Sequence, residues 1–309
     1  MIVLYIIVSI YISAIWLDYY RFIGNYKRNS LLPILSAYII GCLSVIIVVE
    51  LNKTFLSQPL FYTNNHFINS FLYFTINVGL VEEFAKASPF ILIYLVFKKE
   101  FKNPIDYLAY FSFIALGFST IENIGYFSTG SYIILMRAIL CTLGHIIDTS
   151  FIAYGILLCK FRPTKSKFLT LLVFSILGIL SHGVYDFCAS FFSINSYGWI
   201  PSILFFFITI PIFRTIINNA LNNSTSILKF ENINHDKIFT RLVSLYGSVF
   251  GMEFIIIVIK NGFDSAIYFS IFSMLTTGII VFTALFYVSK IKITVDKWEK
   301  IKVLFPFTL

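Results

Sequence analysis

Charge is scarce in this sequence. Only 12% of its 309 residues are Asp, Glu, Lys or Arg, about half the share that a water-facing globular domain carries. A conventional soluble fold is excluded on that ground. Cysteine is also sparse. Cys42, Cys141, Cys159 and Cys188 each sit in an apolar run and none forms a CxxC pair. A disulfide framework and a thiolate metal site are both excluded, and the four read as small buried hydrophobes. No HExxH helix is present and no serine stands in GxSxG, which removes the zincin and nucleophile-elbow patterns. There is no internal repeat and no matched pair of interrupted spans of the kind transporters use. Nor is there a polar basic domain to carry nucleic-acid binding, so the net charge of +8 needs another explanation.

What the sequence has in abundance is apolar length. Hydrophobic residues make up 58% of the chain and the mean hydropathy is +0.87. Several runs reach the ~20 residues that a helix needs to cross a bilayer. The expected architecture is an all-α, polytopic membrane bundle of nine transmembrane helices. Their expected positions are 2–20, 31–51, 67–97, 104–126, 131–159, 168–190, 198–218, 241–260 and 264–290. With nine spans, 19 of the 23 basic residues fall on one side. They lie after spans 1, 3, 5 and 7 and in the tail. Lys53 and Lys260 are opposite, and Lys86 and Arg137 are inside spans. The positive-inside rule then predicts an outer N-terminus and a cytoplasmic C-terminus. The excess charge is expected to face anionic inner-leaflet lipid. The first span has no basic residue before Arg21 and is expected to be a retained span rather than a cleaved signal. Residues 1–214 are expected to form the main bundle. Residues 215–240, rich in Asn and Ser, are read as a polar cytoplasmic linker, and 241–309 as a two-helix membrane appendage with a basic tail. Trp16 and Trp199 are read as interfacial anchors.

Against this apolar background, ionisable residues concentrate in spans 3 to 6: Glu82, Glu83, Lys86, Glu122, Arg137, His145, Asp148, His182 and Asp186. Such groups are costly in hydrocarbon and mark functional sites by default. At the helical rise, Glu82, Glu122, His145 and His182 all lie about 21–27 Å from the cytoplasmic ends of their spans. Four helices thus bring an acid or an imidazole to one level, slightly outside the midplane. Glu82 and Lys86 are four apart and can pair, while Glu83 points about 100° away. His145 with Asp148, and His182 with Asp186, are spaced so that each carboxylate can orient its imidazole. Arg137 is read as a structural counter-charge to an acid, and Asn123 as a hydrogen-bonding neighbour of Glu122.

Carboxylates with imidazoles in a membrane cavity suit water-mediated amide hydrolysis by general acid–base catalysis. The same side chains are zinc ligands and the parts of proton relays. A metal-dependent membrane hydrolase and a non-enzymatic alternative therefore stay open. The latter is a proton- or cation-coupled transporter, or a scaffold for a membrane partner.

The motifs themselves carry a family resemblance. Glu82-Glu83-Phe84-Ala85-Lys86 resembles the EExxK motif of the PrsW family of intramembrane proteases. The stretch from Phe118 to Glu122-Asn123 resembles its FxxxEN-like motif. Gly144-His145 through Asp148, and His182 through Asp186, resemble its later His-containing motifs. The type II CAAX-processing branch of the same group has EExxxR and a later FxxxH. Lys86 and Glu122 place this chain nearer PrsW. The resemblance covers about residues 70–190. It implies a glutamic-type intramembrane endopeptidase in the cell membrane, acting on single-pass membrane proteins such as an anti-sigma factor. The catalytic set it implies is Glu82, Glu83, Glu122, His145 and His182, supported by Lys86, Asn123, Asp148 and Asp186. It implies no cofactor, with zinc left open.

Overall fold

The computed structural model describes residues 1–24, 31–54, 62–129, 134–191, 199–225 and 234–301. Every regular element among them is helical. In chain order they are α1 (Ile2–Gly24), α2 (Leu31–Thr54), α3 (His66–Leu72), α4 (Val81–Val96), α5 (Pro104–Thr129), α6 (Ile134–Met136), α7 (Thr142–Phe161), α8 (Lys167–Phe191), α9 (Trp199–Asn222), α10 (His235–Asn261), α11 (Phe263–Ser273) and α12 (Ile279–Ser289). Three π-helical segments join α3 to α4 (π1, Tyr73–Leu80), α6 to α7 (π2, Arg137–Cys141) and α11 to α12 (π3, Met274–Gly278).

Among the described residues these elements form nine helical runs, near the nine expected positions. Eight contain a helix long and apolar enough to cross a membrane. The exception is the run from α3 to α4. There π1 interrupts the α-helix, leaving α4 only 16 residues long. Of the stretch expected as a linker, residues to Asn222 continue α9 and those from His235 begin α10. Residues 226–233 lie outside the described residues.

α5 is the axis of the bundle. It begins with Pro104, whose missing N–H costs nothing at a first helical position. Asp106 accepts from the backbone N–H groups of Lys102 and Asn103. α5 is almost wholly buried, and α7 nearly so. α5 packs against α1, α2, α4, α7 and α9. At one end, Phe90 of α4 stacks on Phe111 of α5 with ring centroids 3.9 Å apart. Tyr94, Phe101 and Tyr107 close around them. This aromatic cluster fixes the angle at which α4 carries its acids past α5.

The last helices dock on α1 and α9. Arg241 of α10 makes a two-pronged ion pair with Asp18 of α1. Trp16, expected at the interface, is fully buried. Its ring packs edge-on to Tyr19 and to Tyr246 of α10, because α10 covers that face of α1. The side chain of Trp199 lies outside the described residues.

Candidate active site

The site forms where α4, α5, α7 and α8 meet. π1 delivers α4 into it, and close approach of α8 fixes the fit. A Cβ on Gly183 of α8 would lie 2.5 Å from Thr75 Cα of π1. A Cβ on Gly79 would lie 2.8 Å from the carbonyl oxygen of Ile179. Only glycine permits backbones this near, and the contact presses His182 against Glu82 and Glu83.

Lys86 is the hub. Its side chain is fully buried. Its ammonium lies 2.7 Å from Glu83 Oε1, 3.0 Å from His145 Nδ1, 3.3 Å from His182 Nδ1 and 3.5 Å from Glu82 Oε2. The ring of Phe118 covers it at 4.6 Å. The expected Glu82–Lys86 pairing is therefore present but is the looser of two. Glu83 is the close partner, because the long lysine side chain reaches back one turn to either acid.

The adjacent glutamates have different surroundings. Both oxygens of Glu83 are engaged. Oε1 faces Lys86 and His182 Nδ1 (2.8 Å), and Oε2 accepts from Thr149 Oγ1 (2.9 Å). Its side chain has no exposure. Glu82 retains 13% exposure, and its buried Oε2 receives no hydrogen bond. Glu82 lines the cavity described below.

The second acid centre is Glu122. Its Oε2 lies 2.6 Å from His145 Nε2 and its Oε1 3.1 Å from Arg137 Nη2. Lys86 donates to Nδ1 of His145, so the imidazole presents Nε2–H to Glu122. Arg137, at the start of π2, also donates from Nε to Asn123 Oδ1 (3.0 Å) and stacks on Tyr126. Asn123 in turn donates to Ser119 and Thr142. Asn123 thus holds Arg137, and Arg137 holds Glu122.

His182 stands between carboxylates. Nδ1 faces Glu83, and Nε2 lies 3.2 Å from Asp186 Oδ2 and 3.4 Å from Glu82 Oε2. The expected His182–Asp186 pair is present. The expected His145–Asp148 pair is not. Asp148 instead accepts from Ser181 Oγ of α8 and approaches His182 Nδ1 at 3.8 Å. The helical phase after π2 turns Asp148 towards α8, while His145 turns to Glu122 and Lys86.

These groups border a cavity of about 490 Å³ lined by Glu82, Glu122, Arg137, His145, Asp148, His182 and Asp186. Glu83 and Lys86 stand directly behind it. Asn77 of π1 also lines it. Asn77 is 4% exposed and its Nδ2 meets no acceptor among the described residues. The sequence reading passed over Asn77, since a lone amide next to an acidic pair carries no spacing signal. Tyr185 and Cys141, 3.1 Å apart, complete one wall.

Five carboxyl groups thus face two permanent cations, Lys86 and Arg137. Buried ions persist only when paired and hydrogen-bonded. The excess must be carried by protons on carboxyls or imidazoles, or by a bound cation. Among the described residues, two sets offer ligand atoms within 4.8 Å of one another: Glu82, His145 and His182, and Glu83, Asp148 and His182. The first matches the carboxylate-plus-two-imidazole chemistry of catalytic zinc sites and includes Glu82 Oε2, which meets Lys86 and His182 only at 3.5 Å and 3.4 Å. In the second, Glu83 is already saturated.

Comparison with known proteins identifies relatives of this chain. Residues 30–216 match the family described as PrsW family intramembrane metalloprotease. Protease PrsW of Clostridioides difficile (strain 630) is 32% identical over 188 residues, covering 59% of this chain and 76% of that protein. Protease PrsW of Oceanobacillus iheyensis is 31% identical over 163 residues, covering 52% and 71%. No solved structure matches. The family description implies a metal without naming it. Glu82, His145 and His182 offer donors of a suitable type within 4.8 Å of one another. Both nitrogens of His145 already face Lys86 and Glu122, so this set would hold a metal only if His145 gave up one of those partners. A matched stretch of this length, joined to a polar cluster buried among membrane-length helices, shows that the chain belongs to the PrsW family of intramembrane proteases.

Proposed function

We propose that the chain is an endopeptidase that cuts single-pass membrane proteins, an anti-sigma factor foremost among them, with Glu82 as general base. The observation that carries this is the contrast within the acidic pair. Glu82 lines the cavity and keeps 13% exposure, with its Oε2 held only by longer contacts to Lys86 and His182, whereas Glu83 is sealed behind it with both oxygens hydrogen-bonded. In this reading Glu82 takes a proton from water as the water oxygen attacks the scissile carbonyl carbon. His182 Nε2, 3.4 Å from Glu82, holds that water. Asn77 Nδ2 donates to the oxyanion as it forms. The C–N bond then breaks as Glu82 passes its proton to the leaving amine. Lys86 positions both glutamates, and the Arg137–Glu122–His145 chain holds the opposite wall. Asp148 and Asp186 keep His182 in place.

A second reading is favoured by the donor set itself. Glu82, His145 and His182 would hold a zinc ion, which when bound supplies Lewis-acid polarisation and a more acidic water. In this reading His145 would exchange its contact with Lys86 or Glu122 for the metal, while the other orienting residues are the same in both readings. Purified protein in lipid, acting on a single-pass reporter, tests them together. Wild-type cleavage with Glu82→Gln inactive supports the protease. Metal at one per chain with chelator-sensitive cleavage selects the zinc reading, and activity without metal selects the glutamate reading. Full cleavage by Glu82→Gln would overturn the assignment of the base.

A further inference from the structure

A second cavity, of about 940 Å³, lies between α9, α12 and residues 297–300, on elements that carry none of the catalytic groups. Its volume is at the upper end of the ~300–1,000 Å³ typical of small-molecule sites. The walls sort along the helix axis. Towards the start of α9 they are apolar, with Ile203, Phe207 and Ile210 facing Ile280 of α12. Towards its end stand Arg214, Lys297 and Lys300, with Glu299 beside them. Ile203 and Arg214 are separated by about 16 Å along the helix. α9 also exposes Leu204, Phe207 and Ile208, side chains that a bilayer would solvate.

Two further observations point to an anion at the charged end. Arg214 Nε is buried and finds no acceptor among the described residues, a costly state for a guanidinium unless an acceptor faces it. The basic segment is also held in place rather than merely near. Asn219 Oδ1 accepts from the backbone N–H of Glu299 at 2.6 Å, and its Nδ2 donates to the carbonyl of Glu299 at 2.9 Å. Asn222 and Asn223 donate to the carbonyl of Lys297. Lys297 and Lys300 are thereby fixed opposite Arg214 before any ligand arrives, which lowers the ordering cost of binding.

We propose that this groove binds one anionic glycerophospholipid. Its phosphate sits among Arg214, Lys297 and Lys300, and an acyl chain runs along Phe207, Ile210 and Ile280. Three cations against one carboxylate select a negative headgroup, and the apolar lane continuous with them selects a lipid over a free anion. The test is native mass spectrometry of the full chain in detergent, titrated with dioleoyl phosphatidylglycerol or dioleoyl phosphatidylcholine. One phosphatidylglycerol per chain should remain bound where phosphatidylcholine is lost. Replacing Arg214, Lys297 and Lys300 by Gln should weaken it about fivefold per charge removed. Thr283→Trp, which fills the apolar lane and leaves every charge in place, should weaken it too. Arg214→Gln alone serves if the triple variant does not fold. Equal retention of both lipids by wild type and charge variants would overturn the proposal. So would displacement by inorganic phosphate together with an unaffected Thr283→Trp, which would mark an anion site without a lipid lane.

Discussion

At the scale of single residues, a helix places neighbours about 100° apart, and that rotation separates Glu82 from Glu83. Glu82 meets the cavity, and Glu83 meets Lys86, His182 and Thr149. Their substitutions should therefore fail differently. Glu82→Gln should cut turnover by about 10²–10⁴-fold, the range for losing a general base, with an unchanged thermal unfolding midpoint. Glu83→Gln leaves Lys86 short of its closest counter-charge and should cost on the order of 3 kcal/mol of stability, read as a lowered midpoint in detergent. A normal midpoint in Glu83→Gln would refute its structural role. Asn77→Ala should lower kcat by about 10²–10³-fold with KM little changed, as for removal of an oxyanion donor. A change confined to KM would instead make Asn77 a substrate-binding residue.

At the scale of elements, the site depends on two π segments and one close helix contact. π1 ends two residues before Glu82, and π2 ends four residues before His145. An extra residue per turn rotates everything that follows, and π segments recur at functional sites for this reason. The same rotation marks where sequence reading stopped. Hydropathy and helical rise were enough to put Glu82, Glu122, His145 and His182 on four helices at one level. They could not say which faces converge. Spacing paired Asp148 with His145, and the structure pairs it with Ser181. Asn218, Asn219, Asn222 and Asn223 resembled linker composition, yet three of them clasp the backbone of residues 297–299, a long-range contact that composition does not encode. The helix contact yields its own prediction. Gly183→Ala must push α8 away from π1, at about 1–3 kcal/mol for overpacking, and should reduce both the unfolding midpoint and cleavage. Gly247→Ala, with nothing within 4 Å, is the control and should do neither. Equal behaviour of the two variants would mean that the contact at Gly183 is not what seats His182.

At the scale of the whole molecule, a cluster of five carboxyls, two imidazoles and two cations sits where α4 meets three helices of membrane length, α5, α7 and α8. The family match ends at residue 216, so α10, α11 and α12 lie beyond it while packing on α1 and α9. Basic residues crowd one set of connections, so we expect a C-terminal epitope tag to resist protease added outside intact cells and an N-terminal tag to be cut. The reverse pattern would invert the proposed topology. The central claim is that this cluster hydrolyses peptide bonds of membrane proteins through Glu82. Its most direct test compares the membrane proteome of cells carrying the wild-type chain with that of cells carrying Glu82→Gln at equal abundance. The account predicts at least one single-pass protein shortened near its outer membrane boundary in the wild type and intact in the variant. Identical proteomes, with both proteins folded in the membrane, would contradict it.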